Sequence, residues 1–215
     1  MLPAPRLLLI PAALAAAALA GCSVHDDGPR RSQTRDVAAF TRIDTHAAAN
    51  LNVHVGEPQR VSVRAGRKVI GDVHTEVHDG ALEVTFDHHG FWPSDVVVDV
   101  SAPRLSEIDT SGSGDVDADG LAGDAFAVRS QGSADVALEG AVQQLTLELD
   151  GSGDAHLAGL AARRAHVSLS GSGDADVRAD RRLDVWVDGS GDVRYHGHPA
   201  LSRHVDGAGD VRPAG

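Results

Sequence analysis

The sequence is poor in cysteine, aromatic residues and lysine, and each shortage excludes a class of protein. One cysteine among 215 residues can form neither an internal disulfide framework nor a CxxC-type zinc site. Aromatic residues make up 3% of the chain, too few for a platform on which nucleic-acid bases stack. Lys68 is the only lysine, and 19 Lys and Arg against 31 Asp and Glu give a net charge of −12. Without a basic stripe, the chain is not expected to bind nucleic acid.

Residues 1–21 have the composition of a signal peptide. Arg6 precedes an apolar stretch of about 14 residues without an acid, which is too short to cross a bilayer as a helix. The stretch ends in LAGC at Cys22, which resembles the lipobox of bacterial lipoproteins. The resemblance implies cleavage before Cys22 and a lipid anchor on it, and Ser23 favours the outer over the inner membrane of the cell envelope. An ordinary secretory signal followed by a chance cysteine is the alternative.

The rest of the chain divides into three segments by composition. Residues 22–36 are polar and show no apolar periodicity, which predicts a lipidated, flexible tether. Residues 37–108 contain irregularly spaced alternating segments, and residues 109–215 contain a repeat.

The repeat is built on a four-residue motif, Gly-Ser-Gly-Asp or a close variant. Its aspartates lie 20, 19, 20, 18 and 18 residues apart, and a fixed period of this length is typical of a solenoid. The first glycine and the aspartate of the six copies are Gly112 and Asp115, Gly132 and Asp135, Gly151 and Asp154, Gly171 and Asp174, Gly189 and Asp192, and Gly207 and Asp210.

The residues between the motifs alternate between apolar and polar, as in a strand with one buried face. Before Asp154, for instance, Leu145, Leu147 and Leu149 alternate with polar residues. A second short alternating segment follows each aspartate and ends at a glycine or another small residue. Two strands and two turns per 18–20 residues, stacked in register, predict an all-β, right-handed parallel β-helix over 109–215.

The motif positions have separate physical requirements. The first is glycine in all six copies, which indicates a positive φ, whereas the third is glycine in five copies and Ala134 in one, which indicates a need only for a small residue. The aspartates are expected to point outward and stack ~5 Å apart, where they repel each other by roughly 1 kcal/mol per pair. Backbone N–H groups of the turns or cations between them must offset this repulsion.

The tandem GSGD turns, preceded by VVVDVSAPRLSEI over residues 96–108, resemble the head GIN domain, or auto-transporter adhesin, family of bacterial envelope proteins. The resemblance covers residues 40–211. It implies an all-β, right-handed β-helix-like fold and a role in adhesion or surface structure, and it supplies no catalytic residues.

Residues 37–108 are predicted to form a less regular β region that caps the solenoid. Five short alternating segments are separated by turn residues, and Asp79 with Gly80 has the chemistry of a hairpin, so that strand pairing begins antiparallel there. A solenoid needs such a cap because an open edge aggregates.

These patterns favour a non-catalytic, lipid-anchored envelope protein that acts as an adhesin or scaffold. Its repeated surface would bind a glycan or another envelope protein. Trp186 lies on the polar side of its strand and is the best candidate for a ligand contact. No catalytic residue, metal ligand or cofactor is predicted. In particular, serine between glycines in five equivalent copies indicates structure and not a nucleophile.

Two alternatives remain open on the sequence. Parallel β-helices also carry polysaccharide lyases and hydrolases, which would require one distinct cluster of carboxylates in a deep cleft. A calcium-stiffened module is the other alternative, because stacked Asp-Gly turns are similar to those of calcium-binding β-rolls, although that repeat has a different period and spacing.

Overall fold

The computed structural model describes residues 27–87 and 96–215 of the chain. These residues form fifteen β-strands in one sheet, and none of them lies in a helix that could span a membrane. The strands are β1 (Arg30–Arg35), β2 (Arg42–Thr45), β3 (Asn50–Val55), β4 (Arg60–Gly66), β5 (Val73–His78), β6 (Ala81–Phe86), β7 (Val97–Ala102), β8 (Glu107–Gly112), β9 (Val116–Gly132), β10 (Val136–Gly151), β11 (Ala155–Gly171), β12 (Ala175–Gly189), β13 (Val193–His196), β14 (Ala200–Gly207) and β15 (Val211–Pro213).

Strands β9 to β12 stack in parallel and confirm the predicted β-solenoid. Their register places Leu147 against Val167 and Val167 against Val185, so equivalent residues of successive turns form columns. All three are fully buried in a core that runs along the axis. The apolar half of the alternation therefore faces inward on every turn.

Each turn of the repeat is one long strand bent at its middle. Two short strands were predicted, whereas β9 to β12 each have 15 to 17 residues. The pairing between β9 and β10 shifts register between Leu138 and Gly140 and then continues. The small residues at this position bend the backbone without ending the ladder of hydrogen bonds.

The first turn of the solenoid is inserted between two turns that come later in the sequence. Strand β2 pairs in parallel with both β6 and β8, and β3 pairs in parallel with both β7 and β9. The order along the axis is therefore β6–β7, then β2–β3, then β8–β9.

Antiparallel strands close the N-terminal end. The predicted hairpin joins β5 to β6 through Asp79 and Gly80, both at positive φ (49° and 76°). Strand β4 pairs antiparallel with β7, and β1 pairs antiparallel with β4. Val69 and Ile70, between β4 and β5, are buried in the core.

The structure differs from the predicted tether over residues 22–36. Residues Arg30–Arg35 form β1, whose backbone pairs with β4 from Gly66 to Val61. Because β1 is an exposed edge strand made of polar residues, it carries no apolar alternation from which it could be recognised.

Candidate functional site

The six motif aspartates lie in single file along one corner of the solenoid, joined by hydrogen bonds. The backbone N–H of each one from Asp135 onward donates to Oδ1 of the aspartate on the preceding turn. The donor–acceptor distances from Asp135, Asp154, Asp174, Asp192 and Asp210 are 3.3, 2.8, 2.8, 2.8 and 3.0 Å. At the end of this aspartate ladder, Oδ1 of Asp210 accepts a hydrogen bond from the N–H of Val211. Backbone N–H groups thus offset the repulsion between the carboxylates.

The ladder has a seventh member that the sequence analysis missed. The N–H of Asp115 donates to Oδ1 of Asn50, at the end of the inserted turn. Residues 43–50 read IDTHAAAN, and residues 108–115 read IDTSGSGD. This local likeness is the signal from which the extra corner could have been found.

The glycines of the corners are required by close approach between turns. A Cβ at Gly151, whose φ is 142°, would lie 2.0 Å from the carbonyl oxygen of Gly132. At the third motif position, a small side chain is tolerated on the turn of Ala134, as predicted, whereas other turns leave no room for one. A Cβ at Gly153 would lie 2.0 Å from the carbonyl oxygen of Ala134. Ala134 itself lies on the turn where the aspartate ladder has its longest bond, 3.3 Å.

The aspartate ladder forms one side of a shallow polar groove. Three of its carboxylates line a recess of about 200 Å³, and a histidine, an aspartate and an arginine of the next outward column contribute to the same lining. These residues are Asp154, Asp174, Asp192, His156, Asp176 and Arg194. The recess is smaller than the ~300–1,000 Å³ of most small-molecule sites.

Several outward carboxylates elsewhere are paired with cations or histidines. Asp176 lies 2.8 Å from Nε2 of His196, and Asp119 lies 2.7 Å from Nδ1 of His54. Arg129 bridges Glu107 and Glu148 on its two neighbouring strands. Within residues 27–87 and 96–215, no group of three or more His, Cys, Asp or Glu residues is arranged to hold a metal ion.

Acidic residues concentrate where the inserted turn meets its neighbours. Asp44 lies between Glu83 and Asp109 in the register of β6, β2 and β8. Burial raises the pKa of Asp109, and the negative charge of Asp44 raises it further, against the opposing charge of Arg129.

Trp186 is the most exposed large hydrophobic side chain of the described residues, with 44% of its surface accessible. The ring of His166 lies 4.9 Å from it, centroid to centroid, at an angle of 50°. Asp184, two residues earlier on the same strand, binds Nε and Nη2 of Arg182 at 2.6 and 2.8 Å. This hydrogen-bonded pair lowers the pKa of the Asp184 carboxyl.

One predicted feature and one short segment lie outside the described residues. These are Cys22 with its signal peptide, and the segment that contains His88, His89 and Trp92.

The fold and the ladder define a class of protein, a β-solenoid whose turns are joined at a glycine–aspartate corner. The family described as "Putative auto-transporter adhesin, head GIN domain" matches residues 39–199. The chain belongs to this family, as the sequence motifs predicted. Membership in an adhesin family suggests a protein of the cell surface or envelope.

Solved structures share the architecture. A "putative adhesin" from Bacteroides fragilis is similar with a TM-score of 0.72 and 22% identity over 86% of this chain and 97% of that one. A "putative adhesin" from Parabacteroides distasonis is similar with a TM-score of 0.57 and 22% identity, over 87% of this chain and 98% of that one. A "putative lipid binding protein" from the same species has a TM-score of 0.50 and 19% identity, over 87% of this chain and 98% of that one. At these identities the likeness establishes the fold alone. No curated protein matches the chain at a significant level.

Proposed function

We propose that this protein is a non-catalytic, lipid-anchored adhesin of the bacterial cell envelope, whose solenoid surface binds glycans. The observation that carries the proposal is the regular, shallow relief of the outer faces. The motif aspartates repeat from turn to turn, and the groove along the aspartate ladder holds about 200 Å³. A surface of this kind suits an extended, repeating ligand better than a small substrate that must be enclosed.

The pairing of the carboxylates supports binding over catalysis. A glycosidase needs two carboxyl groups with different environments on either side of one bond. Here the ladder oxygens accept backbone N–H bonds, and Asp176 and Asp119 contact histidines. Equivalent carboxylates recur on successive turns, so no pair is set apart as acid and base.

The position of β1 supports anchoring through Cys22. Seven residues, 23–29, separate Cys22 from the first residue of β1. Even fully extended, this connection reaches at most about 28 Å. In the sheet, β1 lies at one extreme and β15 at the other. A lipid on Cys22 would therefore hold the capped end near the membrane, with the repeats leading away from it.

A glycan array tests the binding function. The full chain, purified in detergent, is expected to bind a subset of the saccharides and to lose this binding after heat denaturation. An array without any specific signal would rule the proposal out. In parallel, release of reducing ends or unsaturated products from a bound polysaccharide would favour the enzyme alternative.

Metabolic labelling tests the anchor. The wild-type chain expressed in a Gram-negative host is expected to incorporate an alkyne-tagged fatty acid and to sediment with outer membranes. The Cys22→Ser variant is expected to do neither. Equal labelling of both proteins would refute lipidation at Cys22.

A further inference from the structure

Nine outward-facing residues of β11, β12 and β14 form a flat three-by-three patch with Trp186 at its centre. The register aligns Ser168, Trp186 and His204 as the middle row across the three strands. The rows on either side are His166, Asp184 and Ser202, and Ser170, Asp188 and Asp206. We refer to these nine residues as the Trp186 patch.

The composition of the Trp186 patch differs from that of an ordinary solvated face. Around the indole, every side chain is a hydroxyl, a carboxylate or an imidazole, and none is a long aliphatic or basic chain. Strand spacing of ~4.8 Å and a rise of ~3.3 Å per residue make the patch about 10 Å by 13 Å. That area matches one or two pyranose rings.

The indole of Trp186 is exposed on the surface and is not part of the hydrophobic core. Trp186 and Leu201 are the only exposed large hydrophobic side chains in the described part of the chain. His166 packs against one part of the indole ring and limits its rotation. The face of an aromatic ring is electron-rich and attracts the weakly positive C–H groups that line one face of a sugar.

The charges of the patch select among saccharides. Asp184, Asp188 and Asp206 are carboxylates, and the guanidinium of Arg182 is already engaged by Asp184. Carboxylates accept hydrogen bonds from sugar hydroxyls but repel uronate, sialate and sulfate groups. No uncommitted cation lies within the nine residues to reverse this preference.

We infer that the Trp186 patch is a binding site for a neutral pyranose saccharide, which stacks on the indole and donates hydroxyl hydrogen bonds to the surrounding carboxylates. This inference rests on the proposed glycan-binding function and assigns it to one site. The site lies toward the end of the sheet opposite β1.

The test compares full-length variants in detergent on the same glycan array, followed by titration of the best neutral oligosaccharide. Trp186→Ala is expected to weaken binding about tenfold or more, and Trp186→Phe to weaken it less. Thr146→Ala is the matched control, because Thr146 lies outward on β10, outside the Trp186 patch, in register with His166 and Asp184. It is expected to bind as the wild type does. Melting temperatures of all variants should agree within about 2 °C, since a change at an exposed site has little effect on stability.

The outcomes separate this inference from the proposed function. If the wild type binds saccharides and Trp186→Ala binds them equally well, the site assignment fails while the glycan-binding function stands. Preference for sialylated or uronate-containing glycans would overturn the inferred selectivity. If the wild type binds no saccharide, both fail.

Discussion

The backbone N–H of Asp115 donates a hydrogen bond to Oδ1 of Asn50, 65 residues earlier in the chain, at a distance of 3.1 Å. Asn50 thereby occupies the position that an aspartate occupies in each of the six motif copies. Its amide oxygen accepts the same bond that the carboxylates of Asp135 and Asp154 accept. The corner position therefore requires an acceptor oxygen, and a negative charge is not essential to the ladder.

The first prediction distinguishes two contributions of Asp154 to stability, that of its hydrogen-bond acceptor oxygen and that of its negative charge. Asp154→Asn is expected to keep the bond from the N–H of Asp174 and to change the melting temperature little. Asp154→Ala removes the acceptor and is expected to cost about 1–2 kcal/mol. Thermal unfolding followed by circular dichroism measures both. Equal losses in the two variants would show that the charge matters and the acceptor does not.

The second prediction concerns the close approach of the corners. Gly151→Ala places a methyl group 2.0 Å from the carbonyl oxygen of Gly132 at a φ of 142°. We expect a loss of about 3 kcal/mol or more, or failure to fold. Gly71→Ala is the control, because a Cβ there meets no atom within 4 Å. If both variants melt at the wild-type temperature, the corner does not require glycine.

The third prediction is a stabilising substitution in the core. Thr110 is 1% exposed, and its Oγ1 has no hydrogen-bond partner among the described residues. Ser130 occupies this column on the next turn, and Leu149, Leu169 and Val187 occupy it on the turns after that, so an aliphatic side chain fits the column. Thr110→Val keeps the shape and removes the unpaired hydroxyl, so a gain of ~1 kcal/mol, or about 2–4 °C in melting temperature, is expected. Thr146→Val, on the outer face, should be close to neutral, and a destabilised Thr110→Val would contradict the reasoning.

The fourth prediction concerns the pH dependence of stability. Burial and the charge of Asp44 raise the pKa of Asp109 above its ordinary 3.8 in the folded chain. The folded state therefore holds this proton more tightly than the unfolded chain, and stability falls as pH rises through the interval between the two pKa values. Asp109→Asn removes this loss.

We expect Asp109→Asn to melt higher than the wild type at pH 7. The difference should shrink as the pH is lowered through the interval between the two pKa values, where the wild-type carboxyl gains its proton. Asp150→Asn, an exposed carboxylate of β10, is the control for removing one negative charge. A difference that does not change with pH would mean that the carboxyl's protonation state is not responsible.

The fifth prediction addresses the calcium-stiffened module. Because backbone N–H groups already bind the ladder carboxylates, no cation is needed to offset their repulsion. Addition of EDTA in excess is expected to leave the melting temperature unchanged. A fall of several degrees that added calcium reverses would favour the calcium alternative.

The sequence predicted the solenoid because the features that define it are local. Each turn of 18–20 residues contains its own apolar–polar alternation and its own corner glycines, and the next turn repeats both. What it did not predict is which strand lies beside which in the N-terminal region. Alternation identifies β3, β6 and β7 as strands but contains no information on partners. Asn50 was missed because three alanines stand before it in place of Gly-Ser-Gly and 65 residues separate it from Asp115.

The candidate site was predictable in part for the same reason. Alternation along β12 places Trp186 outward. That His166 and His204 flank it depends on the register between three strands. This register follows the two 18-residue spacings from Asp174 to Asp192 and from Asp192 to Asp210. An error of one residue in either spacing would change every neighbour of Trp186.

The insertion of β2 and β3 between later strands dictates the order in which the chain can become ordered. As residues emerge one by one from a ribosome or an export channel, the 42–55 segment has neither neighbour. One side is covered only once β6 and β7 are available, and the other only after β8 and the start of β9 follow. Folding from the first residue onward is thus impossible for this end. The 42–55 segment waits with both edges unpaired until β6 is made, about 40 residues later, and with one edge unpaired until β8 is made, about 65 residues later. A chaperone would find its target in this window.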